Sequence, residues 1–157
     1  MANQCFQRLS VVGPHGDVSS LRQLIATEFG SDTWWGSGET KLTDQISESS
    51  FHIATSWQPA YDAIINMSFK LPNVSFAYTF TEEFWHFAGA LMLKAGTPVK
   101  VPLTIDVEAR IFKKNLAPSN DELEMQEFLN AIDEIQKELD GAATLFLDET
   151  KNSLPTI

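Results

Sequence analysis

Two consecutive runs of alternating apolar residues constrain the fold of this chain more than any other feature of its sequence. The alternating positions are Phe76, Tyr78 and Phe80 in the first run, and Trp85, Phe87, Gly89, Leu91 and Leu93 in the second. Since successive side chains of a strand point to opposite faces of a sheet, each run predicts a strand whose aromatic side chains share one face. The polar segment between the runs, TEEF, is short enough to be the loop of a hairpin.

The spacing also predicts a register for this hairpin. A loop of two residues (82–83) or of four (81–84) places Phe80 opposite Trp85 and Tyr78 opposite Phe87. Both loops put the two glutamates in the turn and His86 on the opposite face from the aromatic side chains. The stretch therefore predicts a structural hairpin, and a catalytic site centred on His86 is the alternative.

Shorter patterns predict two helices before the hairpin. Residues 5–12 predict a strand, followed by a helix with Asp17 as N-cap and Gly30 as its end. Residues 50–57 predict a second strand, and Pro59 fits the first turn of a second helix. The expected apolar stripe of this second helix is Tyr61, Ile64, Ile65 and Phe69. The polar segment 31–50 predicts a connection anchored by its two tryptophans, with a short edge strand in part of it.

The region after the hairpin predicts one long strand and one acidic helix. Every second residue of segment 97–111 is apolar, which is typical of a half-buried strand, and Pro102 indicates an edge strand or a bulge. Ser119 and Glu122 have capping-box spacing, and a helix is expected from there to Asp140. Gly141 predicts its end, and residues 144–148 predict a short strand or a docked tail.

The length and composition indicate one globular domain. The chain has 157 residues, of which 43% are hydrophobic, and this is enough for a core. We expect a single domain over 1–157, with a core at 1–96 and an extension at 97–157. The sequence has neither an apolar run of the ~20 residues that a membrane helix needs nor a signal-peptide pattern. A cytoplasmic location in the host cell, without membrane contact, is therefore expected.

The sequence gives little support to catalysis or to metal binding. It contains neither a phosphate-binding glycine loop nor a G-x-S-x-G nucleophile motif. The spacing of its three histidines is not typical of a metal site, and no metal or cofactor is predicted. The single cysteine, Cys5, lies at the first strand, where a buried thiol is commoner than a nucleophile.

The charge of −10 is concentrated near the C-terminus. Residues 119–150 contain ten acidic residues and one basic residue, Lys137. Phosphate groups are bound by Lys and Arg, so direct nucleic-acid binding by this part is not expected. The pattern predicts a protein partner with a basic surface, and a solvated helix face is the alternative. The predicted binding residues in this region are Glu124, Glu127, Glu134 and Glu138.

Four stretches resemble a known family. They are MANQCFQRLSVVGP (1–14), WWGSGETKLTD (34–44), FHIATSWQPAYDAI (51–64) and FTEEFWHFAGALMLKAG (80–96). Residues 1–96 thus resemble the YubB-like, ferredoxin-like-domain family of uncharacterised phage and plasmid proteins. The chain departs from the family pattern at Gln4, Leu42 and Phe84. The resemblance implies a ferredoxin-like α+β fold and a mobile-element origin, and it implies no known reaction.

The sequence thus predicts an α+β fold with about four to six strands in one antiparallel or mixed sheet. Helices are expected on one face, with an acidic C-terminal helix added. The second helix precedes the hairpin, which departs from the usual ferredoxin order and leaves the strand order open.

Three functions are compatible with this reading of the sequence. The first is a non-enzymatic binding protein that blocks a basic surface on a host nucleic-acid-processing or defence protein. The second is a structural module that forms homo-oligomers. The third is a small enzyme whose site uses the polar and aromatic residues Trp35, Lys41, Trp57, Glu82 and His86.

Overall fold

The computed structural model describes residues 3–83, 87–112 and 114–153 of the chain. The elements are β1 (Gln4–Pro14), α1 (His15–Glu28), β2 (Trp34–Gly36), β3 (Thr40–Lys41), β4 (Ile46–Ser56), α2 (Tyr61–Lys70), β5 (Ser75–Glu82), β6 (Ala88–Lys94), β7 (Thr97–Pro98), β8 (Leu103–Thr104), a π-helical turn (Glu108–Phe112) and α3 (Glu122–Asn152). The chain is therefore α+β, as the sequence predicts. None of these helices combines the length and the apolar composition needed to cross a membrane.

Eight strands form one sheet in the order β2-β4-β1-β5-β6-β7, with β3 also on β4 and β8 also on β6. Every pairing is antiparallel. Four strands of seven to eleven residues make the centre of the sheet. The other four have two or three residues and lie at its edges. The edge strand expected within segment 31–50 is present as β2 and β3, and β4 begins at residue 46 rather than at 50.

The first face of the sheet packs on α1 and α2. The aromatic residues Phe76, Tyr78 and Phe80 of β5 lie on this face, together with Leu91 and Leu93 of β6. Helix α1 contributes buried residues with helical spacing (Val18, Leu21 and Ile25). The aromatic side chains of the hairpin thus lie in a core, as the period-two pattern predicts.

The second face of the sheet packs on α3, which corrects the expectation that the helices lie on one face. Ala77, Ala88, Ala90 and Met92 of the central strands are buried against the helix. From α3 the buried residues are Ile135, Leu139 and Phe146. The small alanine side chains on β5 and β6 let the helix backbone approach the sheet closely, so both faces of these strands are covered.

The hairpin register differs from the predicted one by four residues. Phe80 lies opposite Gly89, and Tyr78 lies opposite Leu91. The predicted pairs of Phe80 with Trp85 and of Tyr78 with Phe87 are therefore wrong, although an even shift leaves the described side chains of β5 and β6 on their predicted faces. Strand β5 continues to Glu82 because it pairs with β1 that far. Residues 84–86, which include Trp85 and His86, lie outside the described residues.

A glycine explains the observed register. A Cβ atom on Gly89 would lie 2.7 Å from the ring of Phe80 and 2.7 Å from the carbonyl oxygen of Leu103. The Phe80 ring therefore covers the glycine from the neighbouring strand, an arrangement that fixes which residues face each other.

Segment 97–111 forms two short strands and a π-helical turn rather than one long strand. Both strands pair with β6, but the register changes by two residues between them. This change makes a bulge that contains Pro102, which has no N–H to donate. Val101 is 92% exposed in the bulge, whereas Ile105, Val107 and Ile111 are buried. The expected inward alternation therefore holds only for the second half of the segment.

Helix α3 is one continuous helix of 31 residues, so neither the predicted end at Gly141 nor the separate element at 144–148 is observed. Phe146 of α3 is buried against the sheet, and this packing stabilises the helix beyond the glycine. Its N-cap is Asp121, whose carboxylate accepts from the Glu124 N–H at 3.0 Å. The N-cap is therefore Asp121 and not Ser119, so the capping box predicted for Ser119 and Glu122 is wrong.

The starts and the buried faces of the first two helices also differ from the prediction. Helix α1 begins at His15, with Pro14 rather than Asp17 at the N-cap position. Helix α2 begins after Pro59 and buries Ile64, Met67 and Ser68. Of its predicted stripe, Tyr61 and Phe69 are exposed. Helix α2 is rotated relative to the predicted stripe so that Met67, beside Ser68, enters the core.

A carboxylate connects the start of α1 with the edge of the sheet. Glu39 accepts hydrogen bonds from Ser19 Oγ, at 2.7 Å, and from Ser47 Oγ, and its Oε1 lies 2.9 Å from His15 Nδ1. The hydrogen bonds from Ser47, His15 and Ser19 lower the pKa of Glu39 from its ordinary value of 4.5 to about 2. The anion also lies near the positive end of the α1 helix dipole.

Helix α3 should contribute strongly to stability through Leu139, which is fully buried. We expect Leu139→Ala to lower the free energy of unfolding by roughly 2–5 kcal/mol, because it removes buried apolar surface and leaves a cavity. Urea denaturation measures this loss, and Leu123→Ala, at a side chain that is 77% exposed, is the matched control. A loss as small as that of the control would show that α3 does not pack on the sheet.

Glu39 should make stability depend on pH in acid. A carboxyl group whose pKa is lowered by folding stabilises the fold above its unfolded pKa, and this contribution is lost as the pH falls through the folded pKa. The difference in unfolding free energy between the parent and Glu39→Gln should therefore be constant above about pH 5 and shrink from pH 4.5 towards pH 2. Urea denaturation across this range measures it, with Glu28→Gln as the control. A difference that does not vary with pH would contradict the assigned hydrogen bonds.

Candidate functional site

The outer surface of α3 carries eight of the 21 acidic side chains of the chain. Its exposed acids are Glu122, Glu124, Glu127, Asp133, Glu134, Glu138, Asp148 and Glu149. We call this set the acidic face. The buried residues of the helix point to the sheet, so the acidic face points to solvent.

Three acids of this face are bound to basic side chains of the same chain. Glu138 accepts from Arg110 Nη2 at 2.9 Å, Glu149 lies 2.8 Å from Lys100, and Asp133 lies 2.9 Å from Lys137. Of the predicted binding residues, Glu138 therefore helps to attach α3 to the π-helical turn. This role is invisible in the sequence because Arg110 lies 28 residues before its partner.

The other three predicted acids are exposed and form no ion pair with another described residue. Glu124 accepts a hydrogen bond from Ser119 Oγ at 2.8 Å. Glu127 and Glu134 lie seven residues apart, which is about two helical turns, so they share one side of the helix. These two carboxylates are the part of the acidic face most available to a partner.

The residues predicted for an enzyme site do not come together. Trp35 stacks on the His52 ring at 4.9 Å on the second face of the sheet. Lys41 lies exposed in β3, opposite Ser47. Trp57 is exposed beyond the end of β4, with a φ of 69°, and its N–H donates to the Asn3 carbonyl at 2.7 Å.

Glu82 is on the first face of the sheet, and it is buried at the end of β5 rather than exposed in the turn. Glu82 and Trp35 are therefore separated by the sheet. His86, the remaining residue of the predicted enzyme site, lies outside the described residues.

A buried polar cluster surrounds Cys5, which lies opposite Glu82 in the ladder. Burial, and then the charge of Glu82, raise the pKa of the Cys5 thiol to about 12. The thiol is therefore protonated at neutral pH, and this disfavours a role as nucleophile. Gln7 Oε1 accepts from the Ala60 N–H at 2.8 Å and from the Tyr78 hydroxyl, so the cluster attaches α2 to the sheet. Burial raises the pKa of Tyr78.

A polar groove lies between the second face of the sheet and the C-terminal half of α3. It consists of two neighbouring cavities of about 260 and 210 Å³. Arg8, Thr79 and Asp140 line both cavities. The first also contacts Ser10, Ser50, Glu48 and Thr144, and the second contacts Phe6, His52, Thr81 and Gln136. We call this space the α3 groove.

The floor of the α3 groove is made by neighbouring strands. Arg8 of β1 lies between His52 of β4 and Thr79 of β5 in the two ladders. Burial, and then the positive charge of Arg8, lower the pKa of His52, so its imidazole is neutral at neutral pH. At one end Glu48 pairs with Lys151 at 2.6 Å. Among the described residues, no group of three or more His, Cys, Asp or Glu side chains is arranged to hold a metal ion.

Sequence reasoning missed the α3 groove because its charged residues are far apart along the chain. The one available signal was the alternation of polar residues with core residues in β1 and β4. This alternation marks a second, polar face on both strands.

The comparisons with known proteins give no relative on which to base a function. No family model, no curated protein and no solved structure matches the chain. The function is therefore argued from the geometry of the chain itself.

Proposed function

We propose that the chain is a non-enzymatic binding protein that engages a basic surface of a partner protein through the acidic face of α3. The observation that carries the proposal is the division of α3 into two sides. Its inner side packs on the sheet through Ile135, Leu139 and Phe146. Its outer side presents carboxylates that form no ion pair with another described residue, in particular Glu127 and Glu134.

Electrostatics favours a basic partner for this surface. Several like charges on one helix repel one another, and a partner with Lys and Arg side chains relieves that repulsion while steering association. Exposed leucines lie among the acids: Leu123 is 77% exposed and Leu129 is 48% exposed. An interface with an apolar centre and a charged rim fits this composition.

The proposal includes the expectations that come from the family resemblance. A YubB-like protein of a phage or plasmid, with a ferredoxin-like core, would act in the cytoplasm of the host cell. A host nucleic-acid-processing or defence protein would be its target, because such proteins have basic surfaces. Self-association through a sheet edge is the second candidate, and the exposed Val99 and Val101 beside β7 support it.

Reversing the charge of the two available carboxylates tests the proposal. We expect Glu127→Lys/Glu134→Lys to change the free energy of unfolding by less than about 0.5 kcal/mol per site. The same variant should lose the partner that the parent retains from host lysate at physiological ionic strength. Glu138 is left unchanged because its substitution would break the pair with Arg110.

The matched control reverses two exposed acids elsewhere, Glu28 on α1 and Asp62 on α2, to lysine. It changes the net charge by the same amount but leaves α3 intact, so it should retain the partner. The parent, the α3 variant and the control are compared by quantitative mass spectrometry of the lysate proteins that each retains, at low and at high salt. Equal retention by the α3 variant, or equal loss by the control, would show that the acidic face is only a solubilising surface.

A further inference from the structure

The α3 groove contains one charged group of each sign that forms no ion pair with another described side chain. Arg8, which is exposed, lies on its floor and the half-buried Asp140 on its helical wall, and both line the two cavities. Within the described residues, the Arg8 guanidinium takes part in no ion pair and donates no hydrogen bond. Asp140 accepts one hydrogen bond, from Gln136 Nε2 at 3.1 Å. The two opposite charges thus face the same space without closing on each other.

We propose that the α3 groove binds a small zwitterion, a molecule with one carboxylate and one protonated amine, such as a free amino acid or a short ω-amino acid. The guanidinium of Arg8 offers two parallel N–H donors, the geometry that a carboxylate accepts best. The carboxylate of Asp140 accepts from an ammonium group. A single ligand with both groups would therefore satisfy the two charges that the protein leaves apart.

The rest of the lining agrees with a ligand of no net charge. Glu48 is neutralised by Lys151, which lies 2.6 Å away. The other polar groups include hydroxyls, among them those of Ser10 and Ser50, which hydrogen-bond each other at 3.1 Å. The second cavity adds the imidazole of His52 and the amides of Gln7 and Gln136. Neutral hydroxyls accept or donate as the ligand requires. The groove therefore offers one positive and one negative site within a neutral polar surround.

The size of the groove limits the ligand. Each cavity alone, of about 260 or 210 Å³, is below the range of roughly 300–1,000 Å³ that holds drug-sized ligands, and the two together lie in the lower half of that range. A polyanion is also disfavoured, because Arg8 is the one arginine among the described residues that line the groove and the chain carries a net charge of −10. A small zwitterion fits both limits.

The test compares ligands that differ only in their charged groups. The probes are 4-aminobutyrate and glycine, two zwitterions of different charge separation, with butyrate and n-butylamine as single-charge controls. Binding is followed by two-dimensional amide NMR, in which the indole N–H of Trp35, stacked on His52, reports on the groove. At least one zwitterion should give saturable shifts in β1, β4 and α3, and both single-charge molecules should bind about tenfold more weakly or worse.

Single substitutions of Arg8 and Asp140 test whether these two side chains bind the zwitterion. Arg8→Gln and Asp140→Asn should each weaken binding of that zwitterion about tenfold, because each removes a charge-assisted interaction. Both should fold, since Arg8 donates no hydrogen bond in the described structure and Asn can still accept from Gln136. Lys70→Gln and Asp62→Asn on α2, beyond the opposite face of the sheet, are the matched controls and should bind like the parent.

Three results would overturn the proposal. The first is that neither zwitterion gives saturable shifts in the groove. The second is that butyrate binds as well as 4-aminobutyrate, which would make the groove a site for anions alone. The third is that the Asp140 variant binds like the parent. Loss of partner binding in the α3 charge-reversal variant has no bearing on these outcomes, because Glu127 and Glu134 do not line the groove.

Discussion

Burial of β5 on both of its faces is the constraint on which the rest of the structure depends. All six residues from Ser75 to Phe80 are buried. The aromatic side chains fill the space beneath α1 and α2, while Ala77 and Thr79 face α3. The strand is also central, because β1 and β6 pair with it on either side. Antiparallel sheets often leave one face to water, and here the small residues of β5 and β6 let a long helix close that face instead.

The position of α3 also explains why the α3 groove exists. The helix packs on β5 and β6 and approaches β1 and β4 less closely, although Lys151 of α3 pairs with Glu48 of β4. The second face of β4 is therefore only partly covered. The polar residues of β1 and β4, chiefly Arg8, Ser50 and His52, lie at this boundary between covered and uncovered sheet. A groove with a strand floor and a helical wall is the geometric result. The same helix therefore forms a wall of the α3 groove and carries the acidic face, on different sides.

The sequence predicted which side chains share a face better than it predicted which residues pair. A period of two assigns Phe76, Tyr78 and Phe80 to one face whatever the register, because an even shift changes no face. The register depended on how far β5 follows β1 and on the contact of Phe80 with Gly89, and both of these are tertiary. The prediction of one long strand over 97–111 was wrong for a related reason. Alternation predicts a strand, but it does not reveal the bulge at Pro102. The predicted helix end at Gly141 was wrong because a glycine inside a helix costs only about 1 kcal/mol relative to alanine. The burial of Phe146, further along the same helix, offsets this cost. For the candidate site, the sequence showed the acids of α3, but it showed neither the Arg110–Glu138 pair nor that Arg8 and Asp140 line one groove.

The net charge of the chain links the two proposed binding surfaces in one electrostatic argument. A molecule with a charge of −10 repels small anions, and this opposes the capture of a free monoanion by a single arginine. A zwitterion has no net charge, so the long-range field of the protein neither attracts nor repels it, and only the short-range contacts with Arg8 and Asp140 decide its affinity. A basic protein, in contrast, is drawn by the whole field and by the acidic face of α3 in particular. Because salt screens charges beyond roughly 10 Å far more than those in contact, added salt should weaken partner binding much more than zwitterion binding. The two interactions therefore have different physical origins even though one helix contributes to both.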